Sequence, residues 1–194
     1  MQMLYQEGFP TPKPIDTNRH AILMSLVDGD TLCHIQRMTS QAEIGQLFQK
    51  TLETLVRFAQ NGLIHGDYNE FNLMVDSSGT KLTVIDFPQC ISSNHPNAST
   101  YFNRDVECLY TYFHKLAEKS LEENIQNREE GDMKVEKMLD VSSFPMPVLE
   151  EIEVIKRLDH EIKTKGHITL EEYNELEKYR SEEERMRAEM EIDK

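Results

Sequence analysis

Apolar positions along the chain fall into three rhythms. Between Ser40 and Gly62, residues Ile44, Leu47, Phe48, Leu52, Leu55, Val56 and Ala59 recur every three or four positions, the period of a helix with one buried face. Ser40 followed by Glu43 makes a capping box, and Gly62 supplies the stop. Val106, Leu109, Tyr110 and Phe113 repeat the rhythm and predict a further helix. Short unbroken runs form the second rhythm. Leu73-Met74-Val75 and Leu82-Thr83-Val84-Ile85, separated by Asp76-Ser77-Ser78-Gly79-Thr80, predict a β-hairpin. The apolar run at 21–27, closed by Asp28-Gly29-Asp30, predicts a buried strand. Ahead of it, residues 1–6 read as the last turns of a helix stopped by Gly8, and Pro10, Pro12 and Pro14 enforce an extended path. The third rhythm is sparse. Leu149, Ile152, Ile155 and Leu158 make a thin stripe, so 148–165 and 170–190 are expected as charged helices after a break at 143–147.

Charge divides the chain at about the same place. Residues 118–194 hold 23 Asp+Glu against 13 Lys+Arg, and the whole chain of 194 residues carries a net charge of −14. The expected organisation is therefore 1–30, 31–117, and an acidic, helical or partly disordered extension at 118–194. That extension is expected to stand exposed with few contacts. The run from Ser181 to Arg185 reads most simply as a solvated helical face. The acidity argues against free, nonspecific binding to nucleic acid. No run of 18 apolar residues exists to span a membrane, and the first residues lack the pattern of a signal peptide. Cys33, Cys90 and Cys108 are odd in number and scattered, which suits reduced thiols in the cytosol.

The polar residues between 63 and 89 carry the chemistry. Asp67 follows His65-Gly66, Asn72 lies five residues later, and Asp86 ends the second strand of the hairpin. Protein kinases use an Asp, an Asn five residues on, and an Asp-Phe at a strand end. Phosphoryl transfer needs positioned groups and neutralised charge more than covalent help. Asn72 and Asp86 offer the hard oxygens that Mg2+ prefers, and Asp67 suits a base that orients the attacking hydroxyl. A hairpin would return Asn72 and Asp86 to the same end. His65 reads as a buried residue bonding the loop backbone rather than as a second acid or base. Asp105 lies on its predicted helix, and likeness to kinase folds, where an Asp at this place accepts backbone N–H bonds from the catalytic loop, implies that role for it.

These motifs resemble the RIO family of atypical serine/threonine protein kinases. His65-Gly66-Asp67-Tyr68-Asn69-Glu70-Phe71-Asn72 is similar to the catalytic loop of its second (Rio-two) subfamily, and Ile85-Asp86-Phe87-Pro88-Gln89 to that subfamily's metal-binding loop. Further likeness flanks them, in Glu7-Gly8-Phe9-Pro10 through Pro14, Asn18-Arg19-His20, His95-Pro96-Asn97-Ala98, Tyr101-Phe102 and Arg104-Asp105-Val106, over about residues 1–117. The resemblance implies an α+β fold: a kinase-like C-terminal lobe with a remnant of the N-terminal lobe. It implies ATP and Mg2+ as cofactors, with Met24 and Leu26 in a hinge that meets adenine. Asp67 and Asp86 would be catalytic, Asp86 receiving the phosphoryl group transiently, with Asn72 and Asp86 on the metal. It also implies protein phosphorylation or ATP hydrolysis during maturation of the small ribosomal subunit, in the cytoplasm with possible shuttling through the nucleus.

The sequence holds no G-x-G, and Lys13 lies between two prolines, poorly placed to pair with phosphates. The glycine loop, its lysine and the family's N-terminal winged-helix domain are therefore expected upstream of Met1, and weak turnover is expected of these residues alone. A pseudokinase or docking module is the competing expectation. A small-molecule phosphotransferase shares the His-x-Asp loop, but Phe87-Pro88-Gln89 speaks against it.

Overall fold

Ser40 and Glu43 cap their helix as the spacing predicts. The Glu43 N–H donates to Ser40 Oγ, and the Ser40 N–H donates to the Glu43 carboxylate, both at 3.2 Å. The computed structural model describes residues 1–18, 21–35, 38, 40–77, 79, 81–126 and 137–160. Its helices are α1 (Gln2–Gln6), α2 (Gln41–Gln60) and α3 (Ala98–Gln126). The strands are β1 (Pro14–Thr17), β2 (Ile22–Met24), β3 (Asp30–Thr31), β4 (Leu63–Ile64), β5 (Leu73–Val75), β6 (Leu82–Val84) and β7 (Ile91–Ser92).

The α2 stripe faces α3. Phe48 meets Phe113, Tyr110 and Phe144 with ring centroids 4.9–5.1 Å apart. Ile44, Leu47, Leu55, Phe58, Phe102, Val106 and Leu109 are buried around them. Three small antiparallel sheets accompany this pair, in the orders β1-β2, β3-β5-β6 and β4-β7, and β4 packs on both helices. The β5–β6 hairpin follows the predicted register, Leu73 opposite Val84 and Val75 opposite Leu82. At the other end of α2, Arg57 donates to the Gly8 and Glu7 carbonyls and lies 4.2 Å over the Phe9 ring, which anchors the turn after α1.

Two expectations are corrected. The strand expected over 21–27 is shorter and exposed rather than buried. Ile22, Leu23 and Met24 are each more than a third exposed, and Leu26 is 97% exposed. The β1–β2 ribbon pairs only with itself, so no second layer among the described residues covers these side chains. The exposed helix expected from 148 does not form over 148–160. Residues 137–160 run as an extended strap with brief 3-10 turns, packed on the lobe. Val141 and Leu158 are buried, Tyr110 Oη donates to the Phe144 carbonyl, and Ser99 and Ser92 donate to Glu150 and Asp159. The N–H groups of Ile155, Lys156 and Leu158 donate to the Gln60 and Asn61 carbonyls at the end of α2. Those carbonyls lack intrahelical partners, so the strap acts as a C-terminal cap in trans. The change of character expected at 118 falls inside α3, which runs on to Gln126 and buries Ser120. The helix expected over 170–190 lies outside the described residues.

Candidate active site

The loop from His65 to Asn72 is built from backbone outward. β4 enters it paired with β7, and the chain turns at Gly66 with φ +76°. A Cβ on Gly66 would lie 2.7 Å from the Gln89 carbonyl oxygen, so only glycine allows this approach. Two consecutive residues of α3 grip the turn. The Asp105 carboxylate accepts the Gly66 and Tyr68 N–H groups at 2.8 and 2.9 Å, as the likeness to kinase folds implies. Arg104 donates to the Gly66 carbonyl. Asp105 is 1% exposed, and burial pushes its carboxyl from the usual 3.8 up to about 6 against the pull of the two N–H groups and Arg104. Tyr68 closes the far side, its hydroxyl donating to the Thr51 carbonyl of α2 at 3.0 Å.

Inside this frame, amides hold Asp67. Its Oδ1 accepts Asn69 Nδ2 at 2.9 Å. Its Oδ2 accepts Asn72 Nδ2 at 2.9 Å and Gln89 Nε2 at 3.3 Å. Asn72 Nδ2 also donates to the Asp67 carbonyl. With its amide nitrogen committed to Asp67, Asn72 presents its Oδ1 with no hydrogen bond among the described residues. The Ile85 N–H donates to the Asn72 carbonyl at 3.0 Å, so the hairpin does bring Asn72 and the Asp86 segment to one end. Asp86 has φ +64°, the left-handed region that few residues other than glycine adopt. It is the only such non-glycine among the described residues, and strain of this kind gathers at functional sites. Its carboxylate is exposed, with no hydrogen bond or ion pair among the described residues.

His65 lies behind the loop, with ring centroids 5.3, 5.5 and 6.0 Å from those of Phe87, Tyr68 and Phe58. Burial drives its pKa down to about 4, only partly opposed by the Ile85 backbone and the Asp67 and Asp86 carboxylates. The imidazole is neutral at pH 7, and neither ring nitrogen finds a hydrogen-bond partner in good geometry. The backbone that His65 faces is that of Ile85, ahead of Asp86, rather than the loop's own, and its ring packs against Phe87. Met24 ends β2 and Leu26 follows it, both with exposed side chains. No hydrogen bond among the described residues joins them to Asp67, Asn72 or Asp86.

Sequence reasoning missed Asn69, Gln89 and Arg104. Asn69 carries the local signal of an Asx turn, its Oδ1 accepting the Phe71 N–H at 3.0 Å. Gln89 and Arg104 act across 22 and 38 residues of chain, and nothing local announces them. The donor chemistry fits Mg2+: an amide oxygen and a carboxylate, both hard and both without described partners. Among the described residues no cluster of three or more His, Cys, Asp or Glu forms a self-sufficient metal site, and Mg2+ bound with phosphate and water does not require one.

A loop Asp held against an Asn five residues on, an Asp at the end of the following hairpin, and a helix that clamps the loop backbone define a protein-kinase-like C-terminal lobe of the α+β class. The chain belongs to the RIO domain family, whose description matches residues 1–126. Over 115 residues it is 48% identical to the serine/threonine-protein kinase rio2 of Schizosaccharomyces pombe, covering 59% of this chain and 32% of that one. Over 113 residues it is 43% identical to the RIO2 kinase of Caenorhabditis elegans, covering 58% of this chain and 21% of that one. Its fold matches the Rio2 kinase of Chaetomium thermophilum in an ADP/Mg2+-phosphoaspartate complex, with a TM-score of 0.62 and 30% identity. That match covers 95% of this chain and 52% of the other. The chain thus spans a third or less of these two curated relatives.

Proposed function

We propose that this chain carries the base and metal side of a RIO-type serine/threonine kinase and ATPase site that uses ATP and Mg2+. The observation that supports it most is the Asp67 carboxylate, held by three side-chain amides while Asn72 keeps its oxygen for a metal. Asp67 orients the hydroxyl of the acceptor serine, threonine or water and takes its proton. Asn72 Oδ1 and the Asp86 carboxylate hold Mg2+, and Met24 and Leu26 line the adenine side. When bound, Mg2+ neutralises charge on the phosphates. The relative from Chaetomium thermophilum is described with a phosphoaspartate, and by that likeness Asp86 accepts the phosphoryl group. An oxygen of Asp86 bonds to the γ-phosphorus as the bond to the β-phosphate oxygen breaks and ADP leaves. Water activated by Asp67 then frees phosphate. In the cell, the reading extends to maturation of the small ribosomal subunit, in the cytoplasm with passage through the nucleus.

The test is ATP turnover by the 194-residue chain and by the same chain preceded by the N-terminal part of the Schizosaccharomyces pombe relative. Turnover should be poor in the first, which holds no G-x-G, and robust in the second, with a strict need for Mg2+. Asp67→Ala in the second should lower kcat by about 10²- to 10⁴-fold, the usual worth of a positioned base. No turnover in the extended chain would instead favour a binding module.

A further inference from the structure

Three observations converge on Gln89. The β4–β7 register pairs Leu63 with Ser92 and Ile64 with Ile91. Continued by two residues, it sets Gln89 opposite Gly66, where the backbones do approach closely. The Cys90 N–H donates to the Phe87 carbonyl at 3.0 Å, closing a tight turn that fixes Gln89 relative to Asp86. From that position Gln89 Nε2 reaches Asp67 Oδ2. The other two amides on Asp67 belong to its own loop, so among the described hydrogen bonds Gln89 makes the one direct bond from the Asp86 segment to the Asp67 side chain, Asn72 linking the two only through its bond with the Ile85 N–H.

Each carboxylate oxygen offers about two acceptor directions. Oδ2 has both filled, by Asn72 and Gln89, while Oδ1 has one filled, by Asn69. We infer that Gln89 is a positioning residue: it occupies Oδ2 so that Oδ1 is the oxygen left to take the acceptor's proton. It also ties the aim of that oxygen to the placement of Asp86. This inference rests on the role proposed above for Asp67. An amide suits the task because it donates without titrating. A carboxylate there would repel Asp67, and an ammonium would compete with the incoming proton.

The experiment compares Gln89→Ala and Gln89→Glu with the unsubstituted sequence in the extended, ATP-hydrolysing chain. Gln89→Ala should lower kcat about ten-fold, the scale of one hydrogen bond to a charged group, with KM for ATP unchanged. Gln89→Glu should lose more at pH 8 and recover towards pH 5.5, where the introduced carboxyl gains a proton and can donate again. The ratio of the two rates cancels the other titrating groups that both chains share, His65 and Asp105 among them. A readout independent of turnover is the ¹H–¹⁵N resonance of the Gln89 side-chain amide, which should move in Asp67→Asn. An unchanged kcat in Gln89→Ala, a Gln89→Glu ratio flat with pH, or an unmoved amide resonance would each overturn the inference. Full turnover in Asp67→Ala would sink the proposed base alone, and the amide resonance would still decide whether Gln89 holds Asp67.

Discussion

Asp105 and His65 both bear on the Gly66 turn, and their environments shift them in opposite senses. Asp105 keeps its proton up to about pH 6, whereas an unfolded aspartate loses it near 3.8. Between those values the native state binds more protons than the unfolded state, so this residue's contribution to stability falls as pH rises. His65 does the reverse. Its native pKa of about 4 lies below the ordinary 6.5, so its contribution rises with pH across that window. Each shift is on the order of 3 kcal/mol, and the two largely offset each other. Asp105→Asn removes one side of the balance. Its melting temperature should fall more steeply than that of the unsubstituted protein as pH drops from 6.5 to 4, as followed by circular dichroism. Parallel curves would show that Asp105 does not titrate in this range. The same two residues show what a sequence discloses about a site. Asp67, Asn72 and Asp86 were legible because the chemistry lies in one short stretch. The His65 packing and the Gln89 and Arg104 bonds depend on which distant backbone arrives beside them.

At the scale of elements, α2 is legible at one end and hidden at the other. Its capping box and apolar period are local properties of residues 40–62, and the structure follows both. Its C-terminal carbonyls are met by Ile155, Lys156 and Leu158, nearly a hundred residues on. The strap's apolar residues suggested a period near three, but the observed burial alternates every second residue. Ile152, Val154, Lys156 and Leu158 turn inward, and Glu153, Ile155 and Arg157 turn outward. An extended strap wins because its N–H groups satisfy the end of α2 while Leu158 is buried completely. Both ends can be tested separately. Ser40→Ala should cost about 1 kcal/mol through loss of the cap. Leu158→Ala should cost about 2–5 kcal/mol through the cavity it leaves. The sites lie at opposite ends of the helix and share no partner, so urea titrations should show the two losses adding in the double variant. A Leu158→Ala loss well below 1 kcal/mol would mean the strap is dispensable to α2.

At the scale of the whole molecule, charge density misjudged the described residues 137–160. Residues 118–194 are strongly acidic, which suggested a tail set apart from the lobe. Yet Met1–Asp159 form one compact unit, because a few apolar residues suffice where a prepared surface receives them. Val141 is buried beneath the strap's first turn, Phe144 stacks edge-on to Phe48, and Leu158 fills the end of α2. Lys156 pairs with Glu7 at 2.7 Å, which ties the strap to the turn after α1. The exposed pair adds little by itself. Burial of Val141 and Leu158 stabilises by about 1.5–3 kcal/mol each, before the aromatic contact and the backbone caps are considered. For a chain of this length, 1 kcal/mol corresponds to about 2–4 °C in melting temperature. A chain ending at residue 136 should therefore melt ~10 °C or more below one ending at residue 160. It should also show faster amide hydrogen exchange in the last turn of α2, where the strap's three N–H groups are lost. Equal melting temperatures for the two chains would return residues 137–160 to the role of an appended tail. A lower melting temperature with unchanged exchange at Gln60 and Asn61 would place the strap's contribution in its apolar contacts and not in capping α2.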